Sequence, residues 1–356
     1  MGKELEYLNL DFSTRTLSYA DRTRNLTIEA AGVVKSEKHY PVFDMDGKEY
    51  IFKPISQSKP FATNFFPLAE AFWSQLLPQY FGVQMPQYYL AECAGYHAEV
   101  PKYLDTGCIS ENALGSGEHL VNLLEWFVAH PDPAVDIANY ENFCYMYYDY
   151  VPIFESHLFQ SRKDLAEQLA MHLLLSILTT DENYHYENVA FICDDTGEIL
   201  RLCPLIDHEF SELFAFPDDE PEFLHFLLLH TNAIKGKPDE TEAIRHPEYV
   251  RQNLEYILKH FPVLTKSFAS SLQLLHAGIE DGTILNAIQS SNGPTTLPCD
   301  SNAWRVGRAL YHDHDLEKAE KNKKYLKEST IDMSEFWNDR LMFLGLVAKV
   351  LLEALI

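Results

Sequence analysis

The sequence predicts an α+β chain in two lobes. The first, residues 1–105, is small and strand-rich with one helix; the second, residues 106–356, is larger and mostly helical, with one β-hairpin set among its helices. Three observations predict it. Short apolar runs around turn residues fill the first hundred positions, apolar residues at helical spacing dominate from about residue 120, and Asp194-Asp195-Thr196-Gly197 separates two strand-like runs inside the helical part. The chain has 356 residues, 46% of them apolar and 13% aromatic, so it can bury a full core, which excludes a disordered protein.

Charge narrows the partners. With 28 basic and 53 acidic residues the formal charge is −25, which disfavours direct nucleic-acid binding and adsorption to an anionic membrane. Residues 1–10 carry acids and no apolar core of a signal peptide, so the expected location is cytoplasmic; secretion as an effector by a specialised route would need no such signal. The longest apolar run, residues 341–356, includes Lys349 and Glu353 and has the i, i+3, i+4 pattern of an amphipathic terminal helix on a core, not of a membrane span. The six cysteines, at 93, 108, 144, 193, 203 and 299, form no C-x-x-C pair and read as free thiols in a reducing compartment.

The elements follow in order. Residues 40–43 and 49–55 read as strands flanking Asp44-Met45-Asp46-Gly47. Pro67 opens a helix to about Tyr80, with Leu68, Phe72, Leu76 and Leu77 at helical spacing, and Gly82 ends it. Residues 87–93 and 96–103 read as strands around Ala94-Gly95, and 105–118 as a loop rich in Gly, Ser and Asn. Ser161-Arg162-Lys163-Asp164 resembles a capping box opening a helix through Leu165, Leu169, Leu173 and Ile177 to Thr179-Thr180. Residues 189–193 and 198–203 form the hairpin; 221–230, 247–259, 264–276 and 334–356 read as helices, and 290–298 as a surface loop.

The hairpin has a geometric consequence. In an antiparallel pair the residue before the first strand lies beside those after the second, so Asn188 is expected near Asp207. The loop from Asp181 through Asn183, His185 and Glu187 leads to the same point, and such oxygen-rich clusters suit Mg²⁺. Read without the hairpin, the segment is a solvated polar loop. Lys53 is the second element: alternation puts it with Ile51 on one face of its strand, and Glu70 on the following helix is placed to pair with it.

These residues resemble the HipA-like serine/threonine kinases, the compact single-chain type. The resemblance covers roughly residues 45–215: Lys53, Glu70, the Gly82-Val83-Gln84-Met85-Pro86 segment, the loop Asn183-Tyr184-His185-Tyr186-Glu187-Asn188-Val189-Ala190-Phe191, and Pro204-Leu205-Ile206-Asp207. It implies a protein-kinase-like fold and ATP- and Mg²⁺-dependent transfer to a protein substrate. Lys53 would contact the α/β-phosphates and Glu70 would orient it, while Asn188 and Asp207 would hold the metal. The backbone near Glu99–Lys102 would be the hinge that reads adenine. Gly32 would lie in a phosphate-covering loop, with Ser36 a self-phosphorylation site. Such kinases often serve as the toxin of a toxin–antitoxin pair, so a small antitoxin protein is an implied partner.

One position departs from the pattern. The family's catalytic base falls on Asn183, and a carboxamide cannot accept a proton at neutral pH. Asp181 could serve if the loop carries an insertion; otherwise the chain is a nucleotide-binding pseudokinase. A metal-dependent hydrolase using Asp181, His185, Glu187 and Asp207 is the remaining alternative. Tyr311-His312-Asp313-His314-Asp315, Asp207-His208-Glu209 and the acidic run 217–221 read as solvated surface, and Tyr145, Tyr147, Tyr148 and Tyr150 as core packing.

Overall fold

The structure is a computed structural model that describes residues 7–11, 16–19, 22–25, 27–29, 42–45, 48–56, 66–95, 103–136, 149–181, 184–205, 211, 228–237, 247–290, 296–298 and 330–356. The first sheet has eight strands: β1 (Tyr7–Asp11), β2 (Thr16–Tyr19), β3 (Arg22–Asn25), β4 (Thr27–Glu29), β5 (Val42–Met45), β6 (Lys48–Ser56), β7 (Tyr88–Ala94) and β8 (Tyr103–Glu111). Their spatial order is β3-β2-β1-β7-β8-β6-β5-β4, with β1 and β7 parallel and the other neighbours antiparallel.

Helix α1 (Phe66–Phe81) connects β6 to β7 and is buried on nearly every side, at Leu68, Ala69, Phe72, Trp73, Leu76 and Leu77. A helix apolar all round needs cover on both faces. Here β7 covers one, and α7 (Pro262–Glu280) and α9 (Met333–Leu355) cover the other, with Phe81 4.7 Å from Phe268 and Phe72 5.2 Å from Trp337 between ring centroids. Pro67 sits in the first turn, and Gly82, at φ +68°, ends the helix in the left-handed conformation that glycine adopts without penalty.

A second sheet, order β11-β10-β9, joins β9 (Glu118–Asn122) to the hairpin of β10 (Ala190–Asp194) and β11 (Ile199–Leu202). The helices around it are α2 (Leu123–Ala129), α3 (Val151–Glu155), α4 (His157–Ser161), α5 (Lys163–Leu178), α6 (Pro247–His260), α7, α8 (Thr283–Ser290) and α9, and residues 228–234 are also helical. A short pair, β12 (Thr296–Pro298) with β13 (Thr330–Asp332), precedes α9. The mixed α/β architecture is as expected, with strands and one helix first and a helical majority after. The terminal helix also meets expectation, burying Leu341, Leu344, Val347, Ala348 and Leu351. Among the described residues no helix is long and apolar enough to cross a membrane. Cys93, Cys108, Cys193 and Cys203 are buried free thiols.

Three local expectations are corrected. Residues 105–111, read as loop, belong to β8, which carries the first sheet to Glu111. Gly107 and Ser110 had the look of turn formers, but β8 lies between β7 and β6 with Cys108 and Ile109 in the core, so burial decides. Residues 118–122, on the edge of the region read as helical, are strand β9. Ser161 is the last residue of α4 and donates to the Leu158 carbonyl at 2.9 Å, so it caps nothing. α5 instead starts from Arg162, whose guanidinium grips Asp164 in two hydrogen bonds of 2.7 and 2.9 Å.

His230 supplies a pH prediction. It is fully buried, its Nε2 donates to the Ile177 carbonyl at 2.8 Å, and burial pushes its pKa from 6.5 down to about 4. The unfolded chain takes up a proton below pH 6.5 that the folded chain resists until about pH 4. Its contribution is therefore complete above pH 6.5 and is lost on acidification, by about 3 kcal/mol once pH 4 is reached. Urea unfolding at pH 7 and pH 4.5 should show a smaller acid loss in His230→Gln, which keeps a donor without the titration.

Candidate active site

Lys53 stands in mid-β6. Alternation drives Phe52 into the core at 0% exposure and leaves Lys53 on the opposite face, in register with Cys108 of β8. α1 brings Glu70 to it: Lys53 Nζ lies 3.5 Å from Glu70 Oε1, with side-chain exposures of 13% and 0%. A carboxylate so deep is costly unless a cation neutralises it. The separation is longer than the 2.7–2.9 Å of a short charge-assisted hydrogen bond, and an ammonium with three N–H donors is not exhausted by one carboxylate.

β8 is pressed against this strand. A Cβ on Gly107 would fall 2.2 Å from the Lys53 carbonyl oxygen and 2.9 Å from Pro54 Cα, so only glycine fits. Beyond Glu111 the chain crosses to the second sheet through residues 112–117. The crossing is fastened at both ends. Asn112 N–H donates to the Glu49 carbonyl at 2.8 Å, and Arg201 grips Glu118 in two hydrogen bonds of 2.6 and 2.7 Å. The Arg201 guanidinium, aided by the Gly115 N–H, holds the Glu118 carboxyl down at about 2. A cavity of about 780 Å³ lies here, lined by Gln75, Gln79, Met85, Asn112, Arg201 and Pro204 among others; of the described candidate site residues, none lines it.

α5 runs into the loop that carries the other candidates. Thr180 has φ +54°, alone among described non-glycine residues in being positive, and for a β-branched side chain that costs about 1–3 kcal/mol. Asp181 follows, 4% exposed, its N–H donating to the Ser176 carbonyl at 3.0 Å and its backbone bridging antiparallel to Ser211. Burial first, then the Asp181 charge, holds the Tyr184 phenol well above its ordinary value. Burial pushes the neighbouring Cys203 thiol up to about 12. Both groups therefore stay protonated, Tyr184 within reach of the Asp181 charge.

Residues 184–189 are pinned from outside. Tyr150 Oη donates to the Tyr184 carbonyl at 3.1 Å, Tyr186 Oη donates to the Asp149 carbonyl, and Leu123 N–H donates to the Val189 carbonyl at 2.7 Å. Leu123 follows Asn122, whose side chain forms a capping box with Glu125 and anchors α2 against the loop. His185 Nδ1 accepts the Glu187 N–H at 3.2 Å, which puts the neutral ring's proton on Nε2. Asn188 is half-buried. Cys203 N–H donates to the Ala190 carbonyl at 2.7 Å, so Asn188 and the Pro204-Leu205 segment leave the hairpin at the same end.

Of the expected site residues, the structure brings Lys53 and Glu70 together and places Asn188 at the hairpin end. Gly32, Ser36, Glu99, Lys102, Asn183 and Asp207 lie outside the described residues, as do His208, Glu209, the 217–221 run, Tyr145, Tyr147, Tyr148 and residues 311–315. Of the four residues a hydrolase would use, Asp207 lies outside the described residues and the other three differ in setting. Asp181 is buried beside Tyr184, whereas Glu187 is 64% exposed and 4.0 Å from His185 Nδ1, and no cluster of three metal-ligating side chains occurs among the described residues. Gly107, Trp73, Thr180 and Ser211 escaped the sequence reading. An isolated glycine in a run such as Leu104–Ile109 is a strand signal of close backbone approach and could have flagged the first.

No protein-family model matches the chain, and no curated protein matches it. Among solved structures it is similar to the crystal structure of a Helicobacter pylori proinflammatory kinase, CtkA, at 10% identity and a TM-score of 0.45, over 90% of this chain and 98% of that one. A likeness of that degree carries nothing about chemistry, which rests on the geometry of Lys53, Glu70 and the 179–189 loop.

Proposed function

We propose that the chain is an ATP- and Mg²⁺-dependent phosphotransferase of the HipA-like serine/threonine protein kinase type. The observation that carries this reading is the Lys53–Glu70 pair, a strand lysine fixed by a helix carboxylate with no solvent exposure. A buried charge needs its partner, and the partner here points a cation from the sheet face. The nucleotide-binding lobe would end near residue 111 and the helical lobe would carry the catalytic loop. The backbone near Glu99–Lys102 would read the adenine edge, and the crossing at 112–117 would offer the backbone of Asn112 to Leu114 as a second place for it.

The donor set fits the groups this chemistry needs. An ammonium suits phosphate oxygens, and the half-buried carboxamide of Asn188, with Asp207 following the hairpin, suits a hard cation. Lys53 would hold the α/β-phosphates and Glu70 would keep it there; Gly32 would lie in the segment covering them, with Ser36 a site of self-phosphorylation. Bound Mg²⁺ would supply charge neutralisation, the larger part of phosphoryl-transfer catalysis. The acceptor would be a protein serine or threonine, and a small antitoxin protein would be the regulatory partner.

Proton acceptance is the weak step. Asn183 cannot do it, and Asp181 is 4% exposed. That burial favours a second reading, a nucleotide-binding module with slow or absent transfer. Intact mass after incubation with Mg²⁺ and ATP separates the two. Kinase activity predicts a gain of one phosphate that Asp207→Ala abolishes. The binding module predicts no gain, yet stabilisation of about 2.7 kcal/mol at a hundredfold excess of nucleotide over Kd. Neither mass gain nor stabilisation would reject both.

A further inference from the structure

Between α1 and the loop sits a hydrogen-bonded junction built on two side chains, Trp73 and Ser211, that carry no role above. Trp73 Nε1 donates to Ser211 Oγ at 3.2 Å, and that hydroxyl donates to the Thr179 carbonyl. We propose that Trp73 and Ser211 are positioning residues that fasten the helix bearing Glu70 to the 179–181 turn, so that the Lys53–Glu70 pair and the catalytic loop are set as one unit. The proposal rests on the phosphotransferase reading for its functional meaning.

The geometry supports it at each joint. Trp73 lies three residues past Glu70, hence on the same helix face, and is 0% exposed. An indole N–H can only donate, and Ser211 Oγ is its acceptor. Ser211 is 2% exposed, and one hydroxyl there serves two elements 32 and 138 positions away in sequence. Its backbone also bridges Asp181.

Between those two attachments stands Thr180 at φ +54°. A β-branched residue keeps a left-handed conformation only when its surroundings impose it. Here the carbonyl before Thr180 accepts from Ser211 Oγ and from Thr180 Oγ1, the latter at 2.6 Å, and the residue after it is bridged to Ser211. Ser211 thus holds both ends of the strained step. In sequence it lies four residues past Asp207, which the phosphotransferase reading assigns to the metal.

The test uses the full chain and four variants, Ser211→Ala, Ser211→Thr, Trp73→Phe and Ser211→Ala/Thr180→Gly. Trp73→Phe assigns the Trp73 indole resonance. Ser211→Ala should speed exchange of that indole proton and of the 179–181 amides with solvent about tenfold. It should lower kcat for phosphate incorporation about tenfold while KM for ATP stays within about threefold. Ser211→Thr, which keeps the hydroxyl, should restore both. Thr180→Gly added to Ser211→Ala should recover part of kcat without recovering indole protection, because glycine takes the left-handed conformation unaided. Unchanged exchange in Ser211→Ala overturns the proposal, as does a lowered melting temperature with kcat intact, or Ser211→Thr behaving like Ser211→Ala. If the wild-type chain neither binds nor transfers nucleotide, the phosphotransferase reading fails by itself, and the exchange rates alone judge the junction.

Discussion

Lys53→Ala should cost about 3–5 kcal/mol of folding stability, because it leaves the Glu70 carboxylate charged at 0% exposure with its ammonium gone. The two single changes should be unequal. Glu70→Gln removes the buried charge and leaves a lysine 13% exposed, whose flexible stem can carry the ammonium to water; its cost should be about 1 kcal/mol. Lys53→Met with Glu70→Gln removes both charges at similar volume and should return stability to within about 1 kcal/mol of wild type, since desolvation offsets much of what a buried pair contributes. The double variant then separates folding from function. Urea unfolding should show it folded, whereas Mg²⁺–ATP should no longer raise its melting temperature. A cost below about 1 kcal/mol for Lys53→Ala would mean that the carboxylate is relieved by some other group, and the pair would lose its place as the carrier of the functional reading. Full nucleotide stabilisation in the double variant would remove Lys53 from the phosphate site.

That pair was legible in the sequence because both members lie on elements with strong local signals. Residues 48–56 alternate, and α1 is bracketed by Pro67 and Gly82, each where a helix boundary wants it. The hairpin was legible for the same reason, and with it the place of Asn188 at its open end. The junction at Ser211 was not. Trp73 and Ser211 are 138 positions apart, and nothing local marks a serine that must accept from α1 and donate to the 179–181 turn. Thr180 was hidden for a different reason: left-handed backbone is ordinarily announced by glycine or asparagine, and here tertiary hydrogen bonds impose it on a residue that disfavours it. The start of α5 misled because an ion pair from Arg162 to Asp164 stands where the Ser161 pattern promised a cap. β8 was misread because its glycine and serine carry turn propensity, whereas its place between two strands is decided by contacts made far along the chain.

Gly107→Ala should be nearly as damaging as Lys53→Ala, and for a reason that its own strand does not reveal. Gly107 pairs with Pro54 of β6 on one side and Ala91 of β7 on the other, so β8 cannot retreat in either direction without breaking a ladder. The added methyl would meet the Lys53 carbonyl oxygen at 2.2 Å, Pro54 Cα at 2.9 Å and the Lys53 carbonyl carbon at 3.0 Å. These are backbone atoms with no rotamer to change, so β6 itself must move. Pro54 lacks an N–H and the register already slips between Pro54 and Ser56, which makes this the point where β6 yields most easily. Overpacking of this kind costs about 3 kcal/mol. The displaced backbone is the one that carries Lys53, so the effect should extend beyond stability. Urea unfolding of Gly107→Ala should give a lower midpoint with the slope unchanged, and the Mg²⁺–ATP-dependent rise in melting temperature should fall toward that of the Lys53→Met/Glu70→Gln variant. Stability within about 0.5 kcal/mol of wild type would show that β6 and β8 do not approach this closely. Lost stability with nucleotide binding intact would show that Lys53 reaches its ligand from a strand free to shift, and the precise seating of that lysine by β8 would have to be given up.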